Sequence, residues 1–224
     1  RTGEIGAELT SNPIVRKVTF TGSTPVCKQL MAECAATVKR TSMELGGNAP
    51  FIVFDDADSD AAVQGAMVSK YRNAGQTCVC SNRIIVQAGI YDEFAAKLAQ
   101  AATELVLGNG ADEGVTVGPL IDEKAAIGVC EFIDDAVAKG ASVTLGGGPS
   151  ELGGSFVNPT ILTGVTRDMR VFSEEIFGPV APLFKFETEE EVVQMANDTE
   201  FGLAAYFYSR DIGRVYRVAE QLEY

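Results

Sequence analysis

The 224-residue chain is 46% hydrophobic and carries 18 basic against 31 acidic residues, a formal net charge of −13, which suits a packed globular core and disfavours a surface built to neutralise nucleic-acid phosphates or anionic lipid. No apolar run approaches a membrane span or the core of a secretory signal. Histidine is absent, which excludes a Cys/His zinc site and a Cys–His catalytic pair within the chain and leaves a carboxylate, a lysine or a water as the only bases.

Along the chain, strand-like and helical patterns alternate, the signature of an α/β layered fold. IVRKVTF (14–20) alternates at period two. After the TGST turn, Thr24 reads as an N-cap and Pro25 as the first helical residue of a helix to Val38. SMEL and APFIVF read as strands around Gly46 and Gly47. Asp58 opens a helix whose apolar positions are Ala61, Ala62, Gly65, Ala66 and Val68, leading to Arg72 and the loop NAGQTCVCSNR (73–83). RIIVQ (83–87) is a strand, and Tyr91, Phe94, Ala95, Leu98, Ala101, Ala102 and Leu105 mark one apolar helical face.

Asp122 begins a helix that closes at Gly140, and SVTL follows in the helix–glycine–strand order of a parallel sheet. PTILT and PVAPLFKF are further strands; Thr188 with Glu191 forms a capping box for a helix to Asn197. AAYFY is a strand, and Asp211 caps a last helix with Val215, Val218, Ala219 and Leu222 inward. The expected fold is a mostly parallel sheet with helices on both faces. Beginning with Arg1 and stopping at Tyr224 directly after QLEY, the chain reads as an excised piece of a longer protein.

Five irregularly spaced cysteines do not make a secreted disulfide framework and point to a reducing compartment, the cytoplasm. Cys78 and Cys80 stand one residue apart in a glycine-bearing loop between a helix and a strand, where a side chain can stand at the mouth of a cleft. By composition they are equally two small buried hydrophobes or a nucleophile and its neighbour. A metal clamp would need two more soft ligands, and Cys27 and Cys34, seven apart on one helix, are badly spaced for it. Gly22 and Ser23 sit where a strand turns into a helix, with free N–H groups for an anion, although a lone TGS is most often a helix cap. Taken singly, Glu44 is a surface carboxylate at a strand end, Arg72 a surface arginine paired with an acid, Phe177 a core aromatic and Glu175 a solvated charge.

Together, FTGS, SMELGGNAPFIVF, RNAGQTCVCSNR and SEEIFGPVAPLFKF resemble the aldehyde dehydrogenase superfamily in order and approximate spacing, from Leu9 to the last residue, and RNAGQTCVCSNR resembles its succinate-semialdehyde branch. The resemblance implies that residues 1–43 are the end of an NAD(P)-binding domain and 44–224 a catalytic domain without its final strands. It implies a small-molecule aldehyde substrate, NAD or NADP as cofactor, no nucleic-acid or membrane partner, and a homo-oligomer, dimer or tetramer.

By the same resemblance Cys78 is the nucleophile and its N–H an oxyanion donor, the second donor being an asparagine upstream of Arg1. Glu44 is the general base, for which an apolar setting that raises a carboxyl pKa is the physical expectation. Gly22 and Ser23 serve the nicotinamide end of the dinucleotide, Glu175 and Phe177 its ribose and ring, and Arg72 clamps the far carboxylate of the substrate. Cys80 is placed to trap an oxidised Cys78 as a disulfide, and Cys27, Cys34 and Cys130 are inert packing. The alternatives are a sibling enzyme for glutarate semialdehyde or another short aldehyde, and a non-catalytic scaffold. Alone, the segment is expected to be weakly active or inactive.

Overall fold

The runs dense in Val, Ile and Phe pair into two separate sheets in a computed structural model that describes residues 1–224. The chain divides into two compact units, Arg1–Gly46 and Gly47–Tyr224. No helix is long and apolar enough to cross a membrane.

The first unit contains α1 (Thr2–Ser11), β1 (Lys17–Thr21), α2 (Thr24–Ala35) and β2 (Arg40–Glu44). β1 and β2 are parallel, with Thr21 opposite Glu44. The cap of α2 is Ser23, in extended backbone, and Thr24 is already helical, one residue earlier than the sequence pattern suggests. The helix ends at Ala35 because the chain turns through Val38 at φ 52°. α1 is not visible in the pattern, since GEIGAELT lacks a clear apolar face. Tertiary contact fixes it: Thr10 Oγ1 donates to Glu33 on α2 at 2.7 Å.

The second unit runs β3 (Ala49–Val53), α3 (Ser59–Tyr71), β4 (Ser81–Gln87), α4 (Tyr91–Ala102), α5 (Glu123–Ala138), β5 (Ser142–Leu145), β6 (Thr160–Thr163), α6 (Arg170–Ser173), β7 (Val180–Phe186), α7 (Glu189–Asn197), β8 (Tyr206–Tyr208) and α8 (Ile212–Gln221). Its sheet has the order β5-β6-β7-β4-β3-β8. All pairings are parallel except β5 with β6, which is antiparallel. That exception corrects the parallel reading of SVTL. Gly146, Gly147 and Gly148, at φ 72°, 106° and 157°, reverse the chain behind β5, and the strand lies at the sheet edge.

β3, β4 and β7 are buried along nearly their whole length, as expected of strands covered on both faces. Alternate residues serve opposite cores. Phe51, Val53, Ile84 and Val86 pack with α3 and α4, whereas Ile52, Phe54, Ile85, Phe184 and Phe186 pack with α5 and α7. Asp58, Asp122, Thr188 and Asp211 cap their helices by accepting backbone N–H groups. In the Thr188 box, Glu191 reaches back to Glu187 N rather than to the cap itself, at 2.8 Å.

Two helical faces depart from expectation. On α3 the buried set is Ala62, Val63, Ala66, Lys70 and Tyr71, with Ala61 and Val68 exposed; a lysine on the inner face disguises its direction. On α8 only Val218 is buried and Leu222 packs at the rim, leaving Ala219 exposed.

Arg83, at the start of β4, is fully buried. Its guanidinium donates to Asn48 O at 3.1 Å and, in the last turn of α7, to Met195 O at 2.6 Å and Ala196 O at 2.8 Å. A cation at a helix C-terminus satisfies carbonyls that lack intrahelical partners. Arg83→Leu is expected to orphan these carbonyls and lower unfolding free energy by roughly 2–4 kcal/mol, measured by denaturant titration; a loss below about 1 kcal/mol would mean that water replaces the arginine.

Candidate functional site

In the first unit, the carboxyl ends of β1 and β2 carry the TGS turn and Glu44 side by side. Gly22 N donates to Glu44 O at 3.0 Å, and a Cβ at Gly22 would run into the Phe20 ring, at 2.7 Å from Cζ. Ser23 makes no side-chain cap bond, so its hydroxyl and the first N–H groups of α2 are available to a ligand. Glu44 is exposed, so the apolar surroundings expected of the base are not supplied around it here; it ends an alternating strand, on an outward position. A cleft of about 600 Å³ opens between α1, β1 and α2, lined by Ile5, Leu9, Val18, Val26 and Leu30.

In the second unit, α3 ends at Tyr71 and the chain passes through Arg72 into three successive left-handed residues, Asn73 (φ 52°), Ala74 (φ 55°) and Gly75 (φ 76°). Asn and Gly tolerate this region, but a buried alanine there is strained. The kink delivers a turn in which Cys80 N donates to Thr77 O at 2.9 Å, with Cys78 at its crest. Tyr206 fixes the turn from β8, its hydroxyl donating to Val79 O at 2.7 Å.

Two glycines let backbone meet backbone around this loop. A Cβ on Gly47 would overlap the Cys78 carbonyl, and one on Gly75 the Gly178 carbonyl. Cys78 is half-buried and free; Cys80 is buried, its thiol donating to Lys70 O at 3.5 Å. Arg72 is exposed and lines a cavity of about 520 Å³ with Ser69, Val79, Tyr206 and Tyr208. The cysteines do not gather into a metal centre, and no cluster of three or more Cys, Asp or Glu side chains does.

The segment after α6 is clamped against the starts of β3 and β4. Asn82 donates to Asn48 Oδ1 at 2.6 Å and to Glu174 O at 2.9 Å, and accepts from Ile176 N at 3.2 Å. Asn48 in turn donates to Phe172 O at 2.9 Å. Glu175 is thereby presented half-buried, one oxygen accepting from Gly47 N at 2.9 Å. Burial pushes its carboxyl upward, opposed by the Gly47 N–H and the charge of Lys70. Phe177 is 45% exposed at φ 52°, so the reading of it as a core aromatic is corrected: the left-handed backbone turns the ring out of the core.

Three polar residues in this arrangement are not singled out by sequence: Asn48, Asn82 and Lys70. Their one signal is a polar residue interrupting an otherwise apolar run, in GGNAPFIV, CSNRIIV and GAMVSKY.

The model of the family described as "Aldehyde dehydrogenase family" matches residues 1–224. The glutarate-semialdehyde dehydrogenase of Pseudomonas aeruginosa is 64% identical over 222 residues, 99% of this chain and 46% of that protein. The NADP(+) succinate-semialdehyde dehydrogenase of Escherichia coli K12 is 62% identical over the same shares. A crystal structure of succinate-semialdehyde dehydrogenase from Burkholderia pseudomallei superposes with a TM-score of 0.99 at 63% identity, covering 100% of this chain and 46% of that one. The chain thus spans about half the length of the curated relatives it matches.

Asn82→Ala removes both anchors of the 174–176 segment. The variant is expected to lose about 1–3 kcal/mol of stability and to exchange the Ile176 amide hydrogen much faster than wild type. An Ile176 amide as protected as before would show that the clamp does not hold this segment.

Proposed function

Because the chain belongs to the aldehyde dehydrogenase family, we propose that it supplies the catalytic machinery of an NAD(P)-dependent oxidation of succinic semialdehyde to succinate. The observation that carries this reading is the Cys78 loop: a half-exposed thiol on a strained turn, with Arg72 six residues before it.

In the proposed reaction the Cys78 thiolate adds to the aldehyde carbon, forming a C–S bond and placing negative charge on the carbonyl oxygen, which the Cys78 N–H stabilises. The carbon then surrenders hydride, leaving a thioester on Cys78. When bound, the nicotinamide dinucleotide supplies the hydride acceptor. Glu44 takes a proton from a water that attacks the thioester, releasing the acid and restoring the thiol.

The residues present fit the cofactor. Glu175 keeps one oxygen on Gly47 N and offers the other to a ribose diol. Phe177 presents an exposed ring to a flat heterocycle, and the Gly22–Ser23 turn offers helix N–H groups to phosphate. We read residues 1–43 as the end of the cofactor domain, the apolar cleft there suited to a flat ring, and 44–224 as the catalytic domain. The choice between NAD and NADP belongs to groups that meet the ribose 2′ position.

Arg72 is the proposed clamp for the distal carboxylate, which makes the substrate an aldehyde acid. Glutarate semialdehyde, one methylene longer, is the alternative supported by the relative of that name, since one methylene shifts selectivity only modestly. In the full-length protein, Arg72→Ala is expected to raise KM for succinic semialdehyde about 10- to 100-fold, the worth of a charge-assisted bidentate contact, and to leave a neutral aldehyde nearly unchanged; equal effects on both would remove the clamp.

Cys80 is proposed as the trap for an oxidised Cys78. Its sulfur must rotate away from Lys70 O to reach Cys78. After mild peroxide, mass spectrometry is expected to find a Cys78–Cys80 disulfide in wild type and irreversible overoxidation of Cys78 in Cys80→Ala; the same overoxidation rate in both would end the proposal.

A further inference from the structure

Lys70 lies in the last turn of α3, eight residues before Cys78, and is 0% exposed. Its Nζ has no hydrogen-bond partner. A buried ammonium without a partner costs several kcal/mol, so its place in this fold calls for an opposite charge nearby or the loss of its proton.

The ionisable groups acting on Lys70 are Cys80, from the turn before β4, and Glu175, from the segment after α6. Cys80 is the stronger of the two attractions on Lys70, and its sulfur stands 3.5 Å from the Lys70 carbonyl. Tyr71, the next residue on α3, is a fully buried phenol that burial keeps protonated. Tyr206, on β8, lies near Cys80 and Arg72 and is likewise held protonated by burial, and Arg72 is exposed. Glu174, adjacent to Glu175, is engaged by Arg170 at 2.9 Å. Glu175 is therefore the carboxylate left to balance Lys70, and its only hydrogen-bond donor is the neutral Gly47 N–H at 2.9 Å.

We propose that Lys70 is a positioning residue of the cofactor site: a buried counter-charge that holds Glu175 as a carboxylate, ready to accept the hydroxyls of the nicotinamide ribose. This rests on the reading of Glu175 as the ribose acceptor and adds the group that sustains it. Lys70 itself touches neither cofactor nor substrate; it acts through Glu175 alone. Burial drives the Lys70 ammonium toward its neutral form while Glu175 and Cys80 favour the charged one, and Lys70 works against the burial that raises the Glu175 carboxyl. Removing the cation raises the Glu175 pKa further. Affinity for the dinucleotide then fails at a higher pH as pH falls, and is intact where Glu175 is ionised in both proteins.

The test uses the full-length protein, with NADH and NADPH as fluorescent probes titrated from about pH 6 to about pH 9. Wild type, Lys70→Met, Glu175→Gln and the double variant are compared. Lys70→Met is expected to bind within about twofold of wild type at the alkaline end and about tenfold more weakly at the acid end, one pKa unit being a factor of ten. In the Glu175→Gln background the Lys70 substitution is expected to change nothing further. At neutral pH the Tm of Lys70→Met is expected to lie below that of wild type, because the substitution breaks a buried charge pair and leaves the Glu175 carboxylate unbalanced.

A weakening equal at every pH, or none at all, overturns the role of Lys70 while leaving Glu175 in place if Glu175→Gln binds poorly. Wild-type affinity in Glu175→Gln overturns the ribose reading and with it the proposal. Should Lys70→Met not fold, the infrared difference between wild type and Glu175→Gln decides: a carboxylate band at neutral pH supports the pairing, and a protonated carboxyl band overturns it.

Discussion

Everything in the second unit hangs on a small set of buried amide and guanidinium hydrogen bonds at the amino ends of β3 and β4. Asn48, Asn82 and Arg83 sit within two strand starts and together hold the end of α7, the carbonyl of Phe172 and both flanks of Glu175. Polar groups buried this deeply are tolerable only when fully satisfied, and once satisfied they specify one arrangement rather than several. The apolar sheet beneath could accept small slips; the asparagine pair cannot, because each displaced bond leaves a buried amide unpaired. The clamp therefore converts a generic α/β core into a defined platform for loops.

On that platform the two loops of the candidate site are shaped by backbone rather than by side chains. The Cys78 turn is launched by three left-handed residues, and the 174–178 segment carries a fourth at Phe177. Gly47 and Gly75 allow carbonyl oxygens to approach where a methyl group would collide. Such strain persists only where surrounding contacts over-determine it. Here those contacts are the Asn82 bonds, the Tyr206 hydroxyl on Val79, and Gln76, whose side chain accepts from Ile121 N at 2.9 Å. The loop sits at the amino ends of the strands, whereas the TGS turn of the first unit occupies the carboxyl ends of β1 and β2. The carboxyl strand ends, where ligands gather in open α/β sheets, thus carry the TGS turn in the first unit, while the Cys78 loop of the second lies at the opposite ends of its strands.

Electrostatics follows the same division. The surface pairs of this acidic chain are ordinary: Lys97 with Asp60 and Glu93, or Arg217 with Glu189, contacts that contribute little in water. The interior holds only a few charges, and each has consequences. Arg83 is satisfied by four acceptors. Lys70 is satisfied by none, and it lies against the loop that bears the thiols.

Composition and periodicity determined a great deal of this protein. Two-faced burial left its mark as the continuous apolar runs of β3, β4 and β7; Asp and Thr caps marked helix starts; and the lack of histidine confined acid–base chemistry to carboxylates and lysine. Four short motifs in a fixed order point to the family. Tertiary structure alone decided the rest. It buried Lys70 and exposed Val68 on α3, turned Phe177 outward by a positive φ, left Glu44 on an exposed position, and reversed β5 at the sheet edge. Each is settled by contacts between residues tens of positions apart, and one-dimensional spacing carries no trace of those.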